Sequence, residues 1–142
     1  MQEKISADHL LYVSLKYTKT ADVILNLIAR WKSLIECSFD RLLEKAKKKK
    51  LISKLPSVPR KKIEAVKEIF KKEKEILDVL ELYEFFSVID KLEKVRESEF
   101  RKNITLKVLY RGGWVDINMD KLKEYHGLLE KFISKLKQFL LH

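Results

Sequence analysis

Apolar side chains recur every three, four or seven residues along the first part of the chain, which is the spacing of one helical face. Residues 7–47 contain no Gly or Pro that would interrupt this pattern. We favour one long or mildly bent helix over this range. The alternative is a break near Tyr17–Thr20, with Thr20 capping a second helix. The positions that form the stripe are Leu10, Tyr17, Ala21, Ile24, Ile28, Trp31, Ile35 and Leu42.

The first clear interruption is the segment 51–59, which contains two prolines. Pro56 disfavours helix at the residue before it, whereas Pro59 suits the first turn of a following helix. Helical spacing then resumes and continues as far as Leu92. Within it, the polar stretch Lys71–Glu75 indicates a join between two helices.

The spacing changes near the end of the chain from the helical period to the alternation of a β-strand. Residues 104–110 and 114–118 are rich in β-branched and aromatic side chains, and Gly112 and Gly113 lie between them. Such an arrangement is typical of a β-hairpin, because the glycines tolerate the positive φ angles of its turn. Asn118 or Asp120 would then cap a last helix.

Together these patterns predict a mainly α protein. We expect an up-and-down helical bundle with a long N-terminal helix and one small β-hairpin, at about residues 104–118, before the C-terminal helix. The length of 142 residues suits a single domain covering positions 1–142.

Composition excludes several classes of protein and of chemistry. Hydrophobic residues make up 46% of the chain and charged residues 37%, which argues against disorder and against a membrane protein. The N-terminus shows no signal-peptide pattern, so we expect a cytoplasmic location. One cysteine and three scattered histidines offer no disulfide, no metal site and no catalytic constellation, and we expect no cofactor. The excess of Lys and Glu over amides is typical of thermophiles.

The net charge of +10 is confined to one part of the chain. Positions 45–74 hold 13 basic and 3 acidic residues, so they carry the whole imbalance, and the remaining residues are neutral together. Lysines at a helix C-terminus complement the helix dipole, at about 0.3–1 kcal/mol each. That effect does not explain the basic residues 60–62, which would lie at a helix N-terminus, where the dipole repels positive charge.

An anionic partner is the functional explanation for this distribution, and a solvated lysine face is the alternative. No aromatic residue lies between Lys45 and Lys67, which favours phosphate attraction over base stacking. The predicted contacts for nucleic acid or another polyanion are Lys45, Lys47, Lys48, Lys49, Lys50, Lys54, Arg60, Lys61 and Lys62.

A second candidate cluster precedes the predicted hairpin and contains Arg96, Arg101 and Asn103. Paired arginines at a helix end can clamp a phosphate. The alternative is that these arginines pair with Glu93, Glu97 or Glu99 on one helix, which would contribute only about 0.2–0.5 kcal/mol per pair.

The layout of paired long helices, a short Arg-containing segment and a last amphipathic helix resembles the HEPN superfamily. This resemblance implies an archaeal-type helical protein that forms homodimers. In active members of the family, RNA is cleaved with an Arg and a His that are separated by four to six residues. Here six residues intervene between Arg96 and Asn103, which stands where the His would be, and no histidine fits the spacing from Arg101. Because Asn cannot transfer a proton, the resemblance implies a binding remnant rather than a competent nuclease.

Three hypotheses follow from the sequence. The leading one is a non-enzymatic module that binds nucleic acid or another polyanion through the region 45–74. The second is a HEPN-like ribonuclease or toxin-type enzyme that uses Arg96 and Arg101. The third is a structural homodimer, because a ten-turn apolar stripe needs a partner along its length.

Overall fold

The computed structural model describes residues 19–141, and within this range the protein is mainly α, as predicted. Three short strands form one antiparallel sheet in the order β1-β2-β3. The elements in chain order are α1 (Ala21–Lys48), α2 (Pro59–Ile69), α3 (Lys74–Val88), a 3₁₀ turn (Ile89–Lys91), β1 (Lys94–Glu97), β2 (Thr105–Tyr110), β3 (Gly113–Ile117) and α4 (Met119–Leu141).

Helix α1 begins at Ala21, so the favoured interpretation of one uninterrupted helix over 7–47 is wrong. Residues 19 and 20 are not helical. The hydroxyl oxygen of Thr20 accepts a hydrogen bond from the N–H of Val23 at 3.3 Å, and Glu99 Oε1 accepts one from the N–H of Ala21 at 3.1 Å. These bonds satisfy N–H groups that have no partner inside the helix. The part of the predicted helix before residue 19 lies outside the described residues.

The other helix boundaries follow the local signals in the sequence. Pro59 lies in the first turn of α2, after Val58 in extended conformation. The join predicted in the stretch 71–75 is confirmed, because α2 ends at Ile69 and α3 begins at Lys74. At the start of α4, Asn118 Oδ1 accepts a hydrogen bond from the N–H of Lys121 at 2.8 Å, so Asn118 rather than Asp120 is the cap.

The sheet contains one strand more than the sequence predicted. Strands β2 and β3 are antiparallel, and the two residues between them, Arg111 and Gly112, both have positive φ. Strand β1 pairs antiparallel with the other edge of β2, with Arg96 opposite Leu106. The prediction of a helix end around Arg96 is therefore wrong. The sequence of β1, Lys-Val-Arg-Glu, has too few apolar residues to show the apolar–polar alternation of a strand.

The chain divides into two compact units, each with a core of its own. The described part of unit 1 comprises residues 19–34 and 84–126. Its core centres on Trp31, whose ring stacks on Phe86 at a centroid distance of 6.2 Å and meets the edge of Tyr125 at 6.4 Å. Burial raises the pKa of Tyr125 to about 12, with a smaller contribution from the charge of Glu124. The sheet contributes the buried side chains Leu106, Val108 and Ile117.

The described part of unit 2 comprises residues 35–83 and 127–141. Phe39 packs edge-on against Tyr83 and Phe132, at centroid distances of 5.7 and 6.0 Å. A second aromatic pair, Phe70 and Phe139, meets at 4.9 Å. The remaining buried aliphatic side chains of this core include Leu42, Leu43, Val66, Val79 and Leu136.

Helix α1 ends in a Schellman motif in which lysine occupies the position usually taken by glycine. The N–H of Leu51 bonds the carbonyl of Ala46 at 2.9 Å, and the N–H of Lys50 bonds the carbonyl of Lys47 at 3.0 Å. These two bonds place Lys50 at the left-handed position of the motif, with φ of 63°. A side chain there is strained by about 1–2 kcal/mol, which glycine avoids.

We predict that Lys50→Gly raises the free energy of unfolding by about 0.5–1 kcal/mol, because the relief of about 1–2 kcal/mol of left-handed strain exceeds the extra backbone entropy of about 0.5–1 kcal/mol that glycine loses on folding. The matched control is Lys48→Gly, two residues earlier and still helical, which should lower it by about 0.5–1 kcal/mol. Urea unfolding of the two variants measures both effects. If Lys50→Gly lowers the free energy of unfolding as much as the control does, Lys50 is not strained at this position.

Candidate polyanion-binding surface

The nine predicted contacts of the region 45–62 all lie in unit 2, on three consecutive pieces of structure. We call this stretch, Lys45–Lys62, the basic segment. It comprises the last turn of α1, the connection to α2 and the first turn of α2. Lys45 and Lys62 are half-buried, and the other seven basic side chains are exposed.

Few carboxylates neutralise the basic segment. Lys62 Nζ lies 2.9 Å from Asp40 Oδ1, and Arg60 Nε lies 3.6 Å from Glu64 Oε1, in a largely exposed pair. The remaining lysines of the segment make no ion pair with any residue of the described range 19–141. Lys45 and Lys49 are also one helical turn apart, a spacing at which like charges destabilise a helix by about 0.2–0.5 kcal/mol.

The first turn of α2 adds a second unfavourable feature. It contains no acidic residue, and Val58 at the cap makes no side-chain hydrogen bond. The N–H groups of Arg60 and Lys61 accordingly have no acceptor among the described residues. Free N–H groups, the positive end of the helix dipole and two exposed cationic side chains therefore coincide, an arrangement that favours an anion.

A depression of about 210 Å³ lies at the edge of the basic segment, within unit 2. Lys49 Nζ lies over the ring of Phe139, 4.7 Å from its centroid. Lys135 and Glu73, which also line the depression, form an ion pair at 3.4 Å. Phe139 lies on α4, and nothing in the local sequence connects it to Lys49. Sequence reasoning therefore missed this aromatic neighbour of the lysines.

A smaller depression of about 140 Å³, also in unit 2, is lined in part by carboxylates. The hydroxyl of Tyr83 donates a hydrogen bond to Glu36 Oε2 at 2.9 Å. Asp40 is held by Lys62, as described above. Because its polar groups are engaged with each other, this depression is explained by the packing of α1 against its neighbours in the unit.

The second predicted cluster lies in unit 1, where its first arginine is engaged internally. Arg96 Nη2 lies 2.8 Å from Asp22 Oδ1, and Nη1 lies 3.5 Å from Glu99 Oε1. The hydrogen bond to Asp22 raises the pKa of Arg96 further above its ordinary value. Glu99 also accepts the Ala21 N–H, so these residues link the strand β1 to the start of α1.

Arg101 and Asn103 are exposed in the connection between β1 and β2. The backbone carbonyl of Asn103 accepts a hydrogen bond from the hydroxyl of Thr105 at 3.0 Å. Arg101 has no ion pair within the described range 19–141. The two arginines therefore do not form a phosphate clamp. Arg96 is neutralised by carboxylates, and Arg101 is exposed on a loop.

Comparisons with models of known protein families, with curated proteins and with solved structures find no match. No helix of the described residues is long and apolar enough to cross a membrane. Among the same residues, no group of three or more His, Cys, Asp or Glu side chains is placed to hold a metal ion.

We predict that Lys61→Gln raises the free energy of unfolding by about 0.3–1 kcal/mol, because it removes a positive charge from the N-terminal turn of α2. Thermal unfolding at low ionic strength measures the effect.

The same substitution at the other end of the helix, Lys67→Gln, provides the matched control. It should lower the stability by a comparable amount, since Lys67 lies in the last turn, where a cation is favourable. Salt should reduce both differences. If both variants change the free energy of unfolding by the same amount and with the same sign, the helix dipole does not determine how these lysines affect stability.

Proposed function

We propose that the protein is a non-enzymatic module that binds nucleic acid, or a polyanion of similar charge density, through the basic segment. The observation that carries this proposal is that lysines occupy positions where their presence is locally unfavourable. Lys50 lies at a left-handed position and Lys61 at a helix N-terminus. A solvated lysine face selected only for stability or solubility would not need either position.

The chemistry of the segment matches the phosphate backbone. Lysines that neutralise phosphates release condensed counterions, which gives affinity without sequence readout. The segment holds eight lysines and one arginine, and lysine contacts a phosphate as a point charge rather than by a bidentate fork. Binding should therefore depend strongly on salt and weakly on sequence.

Several sequence-based expectations belong to the same proposal. They are the up-and-down arrangement of the helices, the kinship with the HEPN superfamily, the homodimer, the thermophilic source and the cytoplasmic location. Arg101 and Asn103 are secondary contacts in this proposal. We do not extend it to ribonuclease activity, because Arg96 is engaged by Asp22 and Glu99, and Asn103 cannot transfer a proton.

We predict that the triple variant Lys47→Gln, Lys48→Gln and Lys54→Gln weakens binding to mixed-sequence RNA and DNA. All three lysines are exposed and make no ion pair within residues 19–141. If each contacts a phosphate, the slope of log affinity against log salt becomes shallower by about 2–3. Fluorescence anisotropy at several salt concentrations measures that slope.

The matched control is Arg30→Gln, Lys91→Gln and Lys123→Gln, which removes the same charge from exposed positions in unit 1. It should leave the slope nearly unchanged. If the wild-type protein does not bind at low salt, or if both triple variants change the slope equally, the basic segment is not the binding surface.

A further inference from the structure

The depression of about 210 Å³ beside Lys49 is lined by buried or half-buried apolar side chains, which we call its floor, and by half-buried or exposed polar side chains, which we call its rim. Phe70, Ile76 and Phe139 supply the apolar side chains. The rim carries Lys49, Glu73, Lys135 and Gln138. Glu73 and Lys135 neutralise each other at 3.4 Å, so Lys49 is the cation on this rim that carries no paired carboxylate within residues 19–141.

We propose that this pocket receives one unstacked base of a single-stranded nucleic acid whose phosphates lie along the basic segment. This inference rests on the proposed function, and it narrows the class of partner from polyanions in general to nucleic acids with exposed bases. A planar base complements this lining, because its face is apolar and its edge is polar.

The position of Lys49 connects the pocket to the phosphate surface. Its ammonium group lies over the Phe139 ring at 4.7 Å from the centroid. A cation–π contact at an exposed site contributes about 0.5–1 kcal/mol, which is similar to an exposed ion pair. A phosphate bound beside Lys49 would therefore compete with the ring for the ammonium group, and movement of that group to the phosphate would leave the aromatic face for the attached base.

The rim supplies groups for the edge of a base. The Glu73 carboxylate accepts hydrogen bonds, the Lys135 ammonium donates them, and the Gln138 amide does both. The depression of about 210 Å³ is smaller than the roughly 300–1,000 Å³ of pockets for drug-sized ligands, and its size is comparable to that of one ring system.

The experiment compares two single strands that carry the same phosphates. One is an RNA of about twelve nucleotides, and the other is the same length with every base removed. Anisotropy titrations with the wild-type protein should give an affinity for the normal strand about tenfold higher than for the abasic strand. The variant Phe139→Leu keeps the floor apolar and removes the aromatic face. The ratio of its affinities for the normal and the abasic strand should therefore fall towards one.

Phe100→Leu is the matched control, because Phe100 is 73% exposed, lies in unit 1 and does not line the pocket. It should keep the tenfold ratio. The wild-type comparison needs no variant, so a folding defect in Phe139→Leu leaves the test intact. Equal affinity of the wild-type protein for both strands would overturn the base pocket and leave the polyanion surface standing. Absence of binding to either strand would overturn the proposed function itself.

Discussion

Burial of the apolar face of α1 is the constraint on which the rest of the described structure depends. Ile24, Ile28 and Trp31 are buried in unit 1, and Ile35 and Leu42 are buried in unit 2, so one helix supplies the core of both. Each fully buried aliphatic or aromatic side chain contributes about 1.5–3 kcal/mol from its removal from water. That stability allows lysines to occupy unfavourable positions where α1 ends.

The unfavourable electrostatics are local and small beside this core. A left-handed lysine, like-charge neighbours one turn apart and cations at a helix N-terminus each lower stability by about 0.2–2 kcal/mol. They act in adjacent parts of the basic segment, and this concentration of unfavourable charge is the support for the proposed phosphate-binding surface. The same charges spread over the molecule would have given solubility without any of these local penalties.

Much of this organisation could be predicted from sequence. Pro59 and Asn118 act through neighbouring backbone groups, so their local signals predicted where helices begin. Strand β1 was missed because a short polar edge strand depends on pairing with β2, which local periodicity does not report. The charge distribution could be counted directly. The contact between Phe139 and Lys49 could not be predicted from the sequence, because these residues lie far apart in the chain.

Binding of nucleic acid at the basic segment can be tested by titrating ¹⁵N-labelled protein with a short single-stranded RNA at low salt and following the backbone amide shifts. We expect the largest changes on the basic segment, Lys45–Lys62, followed by the amides around Phe139. Changes concentrated on Arg96–Asn103, or no changes at low salt, would contradict it.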